Sequence, residues 1–201
     1  MTCAMRMIRR LGASIALLVG VPGLAGAAEP EPKPRAMALG VQFDLFPTVI
    51  SAINGELGYA PQVWLGIGHA RLRVIGAHLE PPDALAFADE GFENPTTTAF
   101  AVTIDYTFGD HFDGFWLGGG FEVWQRTIEH TGVEERASWS STVATFGGGY
   151  IWRFAGNFFL DPWAGLHATL NPEAVLVGAY SYDPTPVVVS ASVKVGWFVD
   201  L

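Results

Sequence analysis

Three residues in the C-terminal part of the chain have the types that hydrolytic chemistry uses. His167, Thr169 and Asp161 share one parity along an alternating stretch. An imidazole, a hydroxyl and a carboxylate could form a nucleophilic triad. In an extended chain rising ~3.3 Å per residue, however, Asp161 lies ~20 Å from His167, so the acid has to come from elsewhere. The set reads as an interior histidine with ordinary hydrogen bonds. Asp110, His111 and Asp113 put two carboxylates and an imidazole into one turn, the beginning of a metal site. Nothing nearby adds a further ligand, and a solvated connection is the simpler reading. Asp83, Asp89, Glu90 and Glu93 make another connection acidic, and divalent cations could bridge it to an anionic surface, although a solvated loop suffices. Gly118 to Gly120 and Gly147 to Gly149 lack the following helix and lysine of a phosphate loop. Glycines within strands make room for neighbours. No catalytic residue, cofactor or metal ligand is assigned.

A second constellation is larger. Asp44, Arg71, Arg73, Asp105, Glu122, Arg126, Asp161 and Lys194, four acids and four bases, all take the polar parity of stretches whose other parity is apolar. Charges of balanced sign in a narrow interior must pair, because an unpaired one costs several kcal/mol. The elements that bring them together follow from the alternation itself.

The stretch Val187 to Leu201 shows it most clearly. Val187, Val189, Ala191, Val193, Val195, Trp197, Val199 and Leu201 fall on one face, and Ser190, Ser192, Lys194, Gly196 and Asp200 on the other, with Val188 and Phe198 as exceptions. One face suits hydrocarbon and the other a narrow polar interior, the pattern of a transmembrane barrel strand. Similar alternation marks strands at 37–46, 98–108, 115–128 and 158–170, and less regularly at 138–154. Trp116, Trp124 and Ile128 break the pattern of their strand. Between Tyr59 and Glu80 the apolar parity switches at Gly68-His69. A two-residue type II′ turn explains the switch, pairing Ile67 with Ala70, Leu65 with Leu72 and Val63 with Val74. The competing topology runs one long strand through Arg71 and makes 175–182 a membrane strand.

These assignments give an all-β chain, an eight-stranded antiparallel transmembrane β-barrel over 36–201. Short connections (68–69, 109–114, 155–157) alternate with longer ones (47–58, 81–97, 129–137, 171–186), as periplasmic turns alternate with extracellular loops. The conformation of 47–57 is left open between loop and helical turn. Tyr106, Phe108, Phe115, Tyr150, Trp152, Phe154, Phe158 and Trp197 share the lipid-facing parity near the periplasmic ends, which makes an aromatic girdle.

Composition agrees. Arg6, Arg9 and Arg10 precede an apolar run from Leu11 to Leu24 and then Ala25-Gly26-Ala27, a secretory signal peptide over 1–27. The run is short of the ~20 residues of a spanning helix. Residues 28–35 form a Pro-rich periplasmic tail. The one cysteine, Cys3, lies in the leader, which leaves the exported chain without thiol chemistry. Without the leader's arginines, eight basic residues face 20 acidic ones, a net charge of −12. Nucleic acid is excluded as a partner on that balance.

The end of the chain, Lys194-Val195-Gly196-Trp197-Phe198-Val199-Asp200-Leu201, is similar to the terminal assembly signal of bacterial outer-membrane proteins. Those proteins usually end in Phe, where this chain has Leu201. Leader, strands and terminal signal together resemble the small outer-membrane barrels of the OmpA, OmpX and OmpW type. The resemblance implies an outer-membrane location. It also implies partners: the barrel-assembly machinery, through the C-terminal strand, and outer-membrane lipids with lipopolysaccharide. It carries no functional motif, and fold does not fix function. The expectation is a non-enzymatic barrel with a plugged polar lumen and acidic extracellular loops, in a structural or surface-interaction role. A conduit or binder for small hydrophobic molecules and a lipid A-modifying hydrolase are the alternatives.

Overall fold

The structure, a computed structural model, describes residues 37–53, 55–83 and 90–201. The leader, the Pro-rich tail and Asp89 lie outside the described residues. Alternating side chains drive each segment into strands, because only an extended chain sends successive residues to opposite faces. The elements are β1 (Met37–Asp44), α1 (Leu45–Ala52), β2 (Pro61–Ile67), β3 (Ala70–Leu79), β4 (Phe92–Thr107), β5 (Gly114–His130), β6 (Val133–Phe154), β7 (Phe158–Thr169), β8 (Val175–Val177), β9 (Tyr180–Tyr182) and β10 (Val187–Asp200). Eight of them close an antiparallel barrel in the order β1-β10-β7-β6-β5-β4-β3-β2, and β8 with β9 forms a separate two-stranded sheet. Closure gives each of the eight strands a neighbour on both sides, as a chain crossing hydrocarbon requires over most of its length.

The turn at Gly68-His69 decides the register. Gly68 has φ 63 while His69 is not among the positive-φ residues, the backbone of a type II′ turn. Ile67 faces Ala70, Leu65 faces Leu72 and Val63 faces Val74, as the parity switch requires. The one-long-strand topology is excluded, since 175–182 contributes only the small β8–β9 sheet.

Outward residues are apolar and uncovered. Leu39, Phe100, Ile104 and Phe121 keep 50 to 65% of their surface exposed. A continuous apolar belt of this kind has no place in water and matches the hydrocarbon band of a membrane barrel. The girdle residues Tyr106, Phe108, Phe115, Tyr150, Trp152, Phe154, Phe158 and Trp197 are 40 to 67% exposed. They ring the end that carries the short turns.

Four elements differ from the sequence expectation. β1 stops at Asp44 because the Asp44 carboxylate accepts the Phe46 N–H at 3.0 Å and caps α1, which settles the conformation left open there. The expected loop at 129–137 is a tight turn, Thr131-Gly132, on top of a β5–β6 hairpin that rises beyond the belt. Residues 92–97, expected as loop, extend β4 upward beside it. The fourth long connection folds as β8–β9, with Val177 buried against Phe92 and Ile128 and with Tyr182 packed beside them. Burial pushes the Tyr182 phenol up from its ordinary value, although the nearby Arg126 cation favours the phenolate.

Candidate functional site: the barrel lumen

The lumen is built in three levels. At the end with the short turns, Ala38, Trp64, Phe112, Trp116, Ile151, Phe159 and Phe198 form one buried apolar cluster. Six of these are a consequence of parity: Ala38, Trp64, Trp116, Ile151, Phe159 and Phe198 occupy inward positions of β1, β2, β5, β6, β7 and β10. Phe112 is different. The turn holding Asp110, His111 and Asp113 bends through positive φ at His111 (52) and Phe112 (59) and drives the Phe112 ring into the barrel mouth, 1% exposed. That turn, expected to be a solvated connection, is the stopper of this end. Among the described residues no group of three His, Cys, Asp or Glu side chains is placed to hold a metal ion.

A charged layer rests on this aromatic floor. Arg71 lies opposite Asp105 across β3–β4, and Lys194 lies opposite Asp161 across β10–β7. Arg71 Nε donates to Asp105 Oδ2 at 2.9 Å, and Arg73 Nη2 donates to Asp105 Oδ1 at 2.7 Å. Asp161 stands 3.8 Å from Arg71 and 3.7 Å from Lys194 and accepts the Trp116 indole N–H at 2.7 Å. Arg71 Nη2 also stands 2.9 Å from Asp105 Oδ2, while among the described residues Nη1 has no hydrogen-bond partner. The rings of Trp64 and Trp116 lie 5.5 Å from its guanidinium instead, so cation–π attraction replaces part of its hydration. Lys194 Nζ sits 4.2 Å from the Trp163 ring and 4.9 Å from Trp116. Trp116, which breaks the polar pattern in sequence, thus bridges floor and charges.

Glycine makes this layer possible. A Cβ at Gly118 would meet the Asp105 carboxylate, and one at Gly149 would stand 2.8 Å from the Trp116 indole nitrogen and 2.9 Å from Asp161. Gly118 and Gly149, one from each glycine run, are therefore clearances for the ion pairs.

The expected eight-member set divides. Arg71, Arg73, Asp105, Asp161 and Lys194 join in one network. Asp44 caps α1 and accepts the Trp163 indole N–H at 2.8 Å. Glu122 meets His167 Nδ1 at 3.1 Å. Arg126 lies 4.3 Å over the Trp124 ring, and among the described residues it makes no ion pair.

The acid missing from the His167 constellation is Glu122, which the register of β5, β6 and β7 brings beside it. Thr145 Oγ1 also lies 3.3 Å from His167 Nδ1. Both contacts fall on the same nitrogen. A relay needs the acid on one ring nitrogen and the nucleophile on the other, so this arrangement holds a ring in place and does not pass a proton from hydroxyl to carboxylate. Thr169 ends β7, its N–H donating to the Pro186 carbonyl at 2.8 Å. Of the acidic connection, Asp83 accepts the Asn94 N–H at 2.8 Å, the Glu90 carbonyl lies 3.1 Å from His130 Nε2, and Glu93 belongs to β4.

Above the charged layer the lumen opens into a cavity of about 370 Å³. Its β3 wall is apolar, Ile75, Ala77 and Leu79 continuing the inward row of Arg71 and Arg73. The lumen is therefore not polar throughout, which corrects the sequence expectation. A barrel's interior row has only to pack, whereas its outer row must face hydrocarbon.

The N-terminal β-barrel domain of Pseudomonas aeruginosa OprF superposes with a TM-score of 0.52 at 12% identity, covering 83% of this chain and 98% of that one. The fold is that of the small outer-membrane β-barrels. A major outer membrane protein from Thermus thermophilus (TM-score 0.49, 8% identity, 82% of this chain and 99% of that one) and Neisserial surface protein A (0.41, 13%, 83% and 96%) are also similar. No family model and no curated protein sequence matches the chain.

Proposed function

We propose that this chain is a non-enzymatic outer-membrane barrel whose lumen is closed to passing solutes, and that it acts in a structural or surface-interaction role. One observation carries the reading. The Arg71–Asp105–Arg73 and Asp161–Lys194 charges sit directly on the Trp64–Phe112–Phe159–Phe198 floor, so a solute would have to break buried ion pairs and displace aromatic rings together. An eight-stranded interior is narrow enough for side chains to fill it, and at the level of this floor and charged layer they do. In this reading residues 1–27 are removed on export and 28–35 remain as a periplasmic tail. The β10 end is presented to the assembly machinery, and the outer connections face lipopolysaccharide.

Planar-bilayer recording tests the closed lumen. The refolded barrel is expected to carry no steady current across the voltage range that a bilayer tolerates. Long-lived openings of general-porin size would overturn the proposal.

A further inference from the structure

The barrel wall is not equally tall on all sides. β10 pairs with β7 along Val187–Trp197, but with β1 only from Lys194, opposite Asp44, toward its end. Val187–Val193 therefore have no ladder partner on the β1 side. Across the same gap, β3 pairs with β2 only as far as Ile75, and a single bridge between Tyr59 and His78 follows. The two short strands β1 and β2 leave a notch between the upper parts of β10 and β3.

The notch lies at membrane depth. Val187, Val189 and Val193, outward on β10 beside it, are 49, 74 and 38% exposed, so the apolar belt continues past the point where β1 ends. Free strand edges facing hydrocarbon cost several kcal/mol per unsatisfied group and are tolerated where the backbone is covered or lines a cavity. Here α1 covers the gap. The Phe46 N–H donates to Ser192 Oγ at 3.0 Å on the β10 side, and Ser51 Oγ accepts the Glu80 N–H at 2.9 Å just past β3. Toward the surroundings α1 shows Leu45 and Val49, 38 and 61% exposed, followed by Ile53 at 66%.

The cavity backs onto the helix that covers the notch: Ile50 of α1 and Val188 of β10 both line it. The lining next to the notch is apolar (Ile50, Ile75, Ala77, Leu79, Val188), and Arg126 is a cation on the same cavity, where the acid Glu122 is already engaged by His167 and the Trp124 indole N–H. A volume of about 370 Å³ falls in the roughly 300–1,000 Å³ range of small-molecule sites.

We propose that the upper lumen is a binding site for a long-chain carboxylate, entered sideways from the outer leaflet through the notch that α1 covers. The chain lies against Ile75, Ala77 and Leu79, and the carboxylate pairs with Arg126. Apolar side chains lining a water-reachable hollow are relieved by hydrocarbon, and the outer leaflet is the nearest source of it. This site does not depend on the closed lumen: a bilayer current would overturn that reading and leave this one standing.

The test is photo-crosslinking with palmitic acid bearing a diazirine on its chain, applied to the refolded full barrel and mapped by peptide mass spectrometry. Adducts are expected on the inward row Ile75 to Leu79 and on Val188, besides the unavoidable ones on lipid-facing residues such as Phe100 and Ile104. Ala77→Trp fills the cavity and is expected to remove the inward adducts at least tenfold while the lipid-face adducts persist. Val188→Trp gives the same reading from the opposite wall should Ala77→Trp fail to reach the heat-modifiable folded form. Arg126→Gln is expected to weaken capture of the acid several-fold without changing capture of the matching alcohol probe. Wild-type adducts confined to the lipid face, or inward adducts undiminished in a folded filled variant, would overturn the site.

Discussion

Asp105→Ala is expected to lower the unfolding free energy of the refolded barrel by about 3–5 kcal/mol, the cost of removing one partner from a buried charge cluster. Asp105 is fully buried and serves two arginines, Arg71 at 2.9 Å and Arg73 at 2.7 Å. The nearest substitute, Asp161, is 3.8 Å from Arg71 and already 3.7 Å from Lys194. Two guanidiniums would therefore remain against Trp faces with one carboxylate to share among three cations. Urea titration followed by the folded, faster-migrating gel band measures the loss. Phe121→Ala, on the lipid face of β5, is the comparator and should shift the midpoint far less. An Asp105→Ala midpoint equal to wild type would mean that the charged layer does not hold the lumen together.

Deleting Val199 to Leu201 is expected to abolish membrane insertion and leave protease-sensitive chain in the periplasm. The seam of β10 with β1 is shorter than its seam with β7. In it Ala38 faces Asp200, Leu39 faces Val199, and the Leu201 N–H donates to the Met37 carbonyl at 2.9 Å. The deletion removes these closing contacts along with the proposed recognition signal. Leu201→Phe separates the two effects, because it leaves the seam intact and brings the end closer to the usual signal; insertion equal to or better than wild type is expected. Normal insertion of the deleted chain would show that neither the seam nor the signal is needed.

The contrast between the two faces of the strands explains what could be read without a structure. Hydrocarbon tolerates only apolar side chains, so the outer row, from Leu39 to Trp197, is legible by parity alone. The inner row has no such restriction. Trp116 and Phe198 look like errors in an alternating pattern, yet they point inward with Trp64 and Phe159 and form the floor. Phe112 sits in a turn whose neighbours are all hydrophilic, and only its positive φ sends the ring into the barrel. All eight charged residues could be assigned to one interior by parity, but which acid meets which base depends on register. That is why Glu122, rather than Asp161, is found beside His167. The β5–β6 hairpin is a further case. Glu129 to Ala137 is polar and reads as loop, but its strands extend above the belt, where both faces can be wet. The notch follows from unequal strand lengths across non-neighbouring segments, a quantity no local pattern carries.

The membrane topology itself has one decisive measurement. Cys3 belongs to the proposed leader, so single cysteines placed in the barrel can be labelled without background. His69 is exposed at the turn between β2 and β3, and Glu135 is exposed near the top of the β5–β6 hairpin. With intact cells, a membrane-impermeant maleimide should label Glu135→Cys and leave His69→Cys unlabelled until the outer membrane is opened, after which both react. Strong labelling of His69→Cys on intact cells would contradict the barrel's orientation, and failure of Glu135→Cys to react on them would contradict its place at the cell surface.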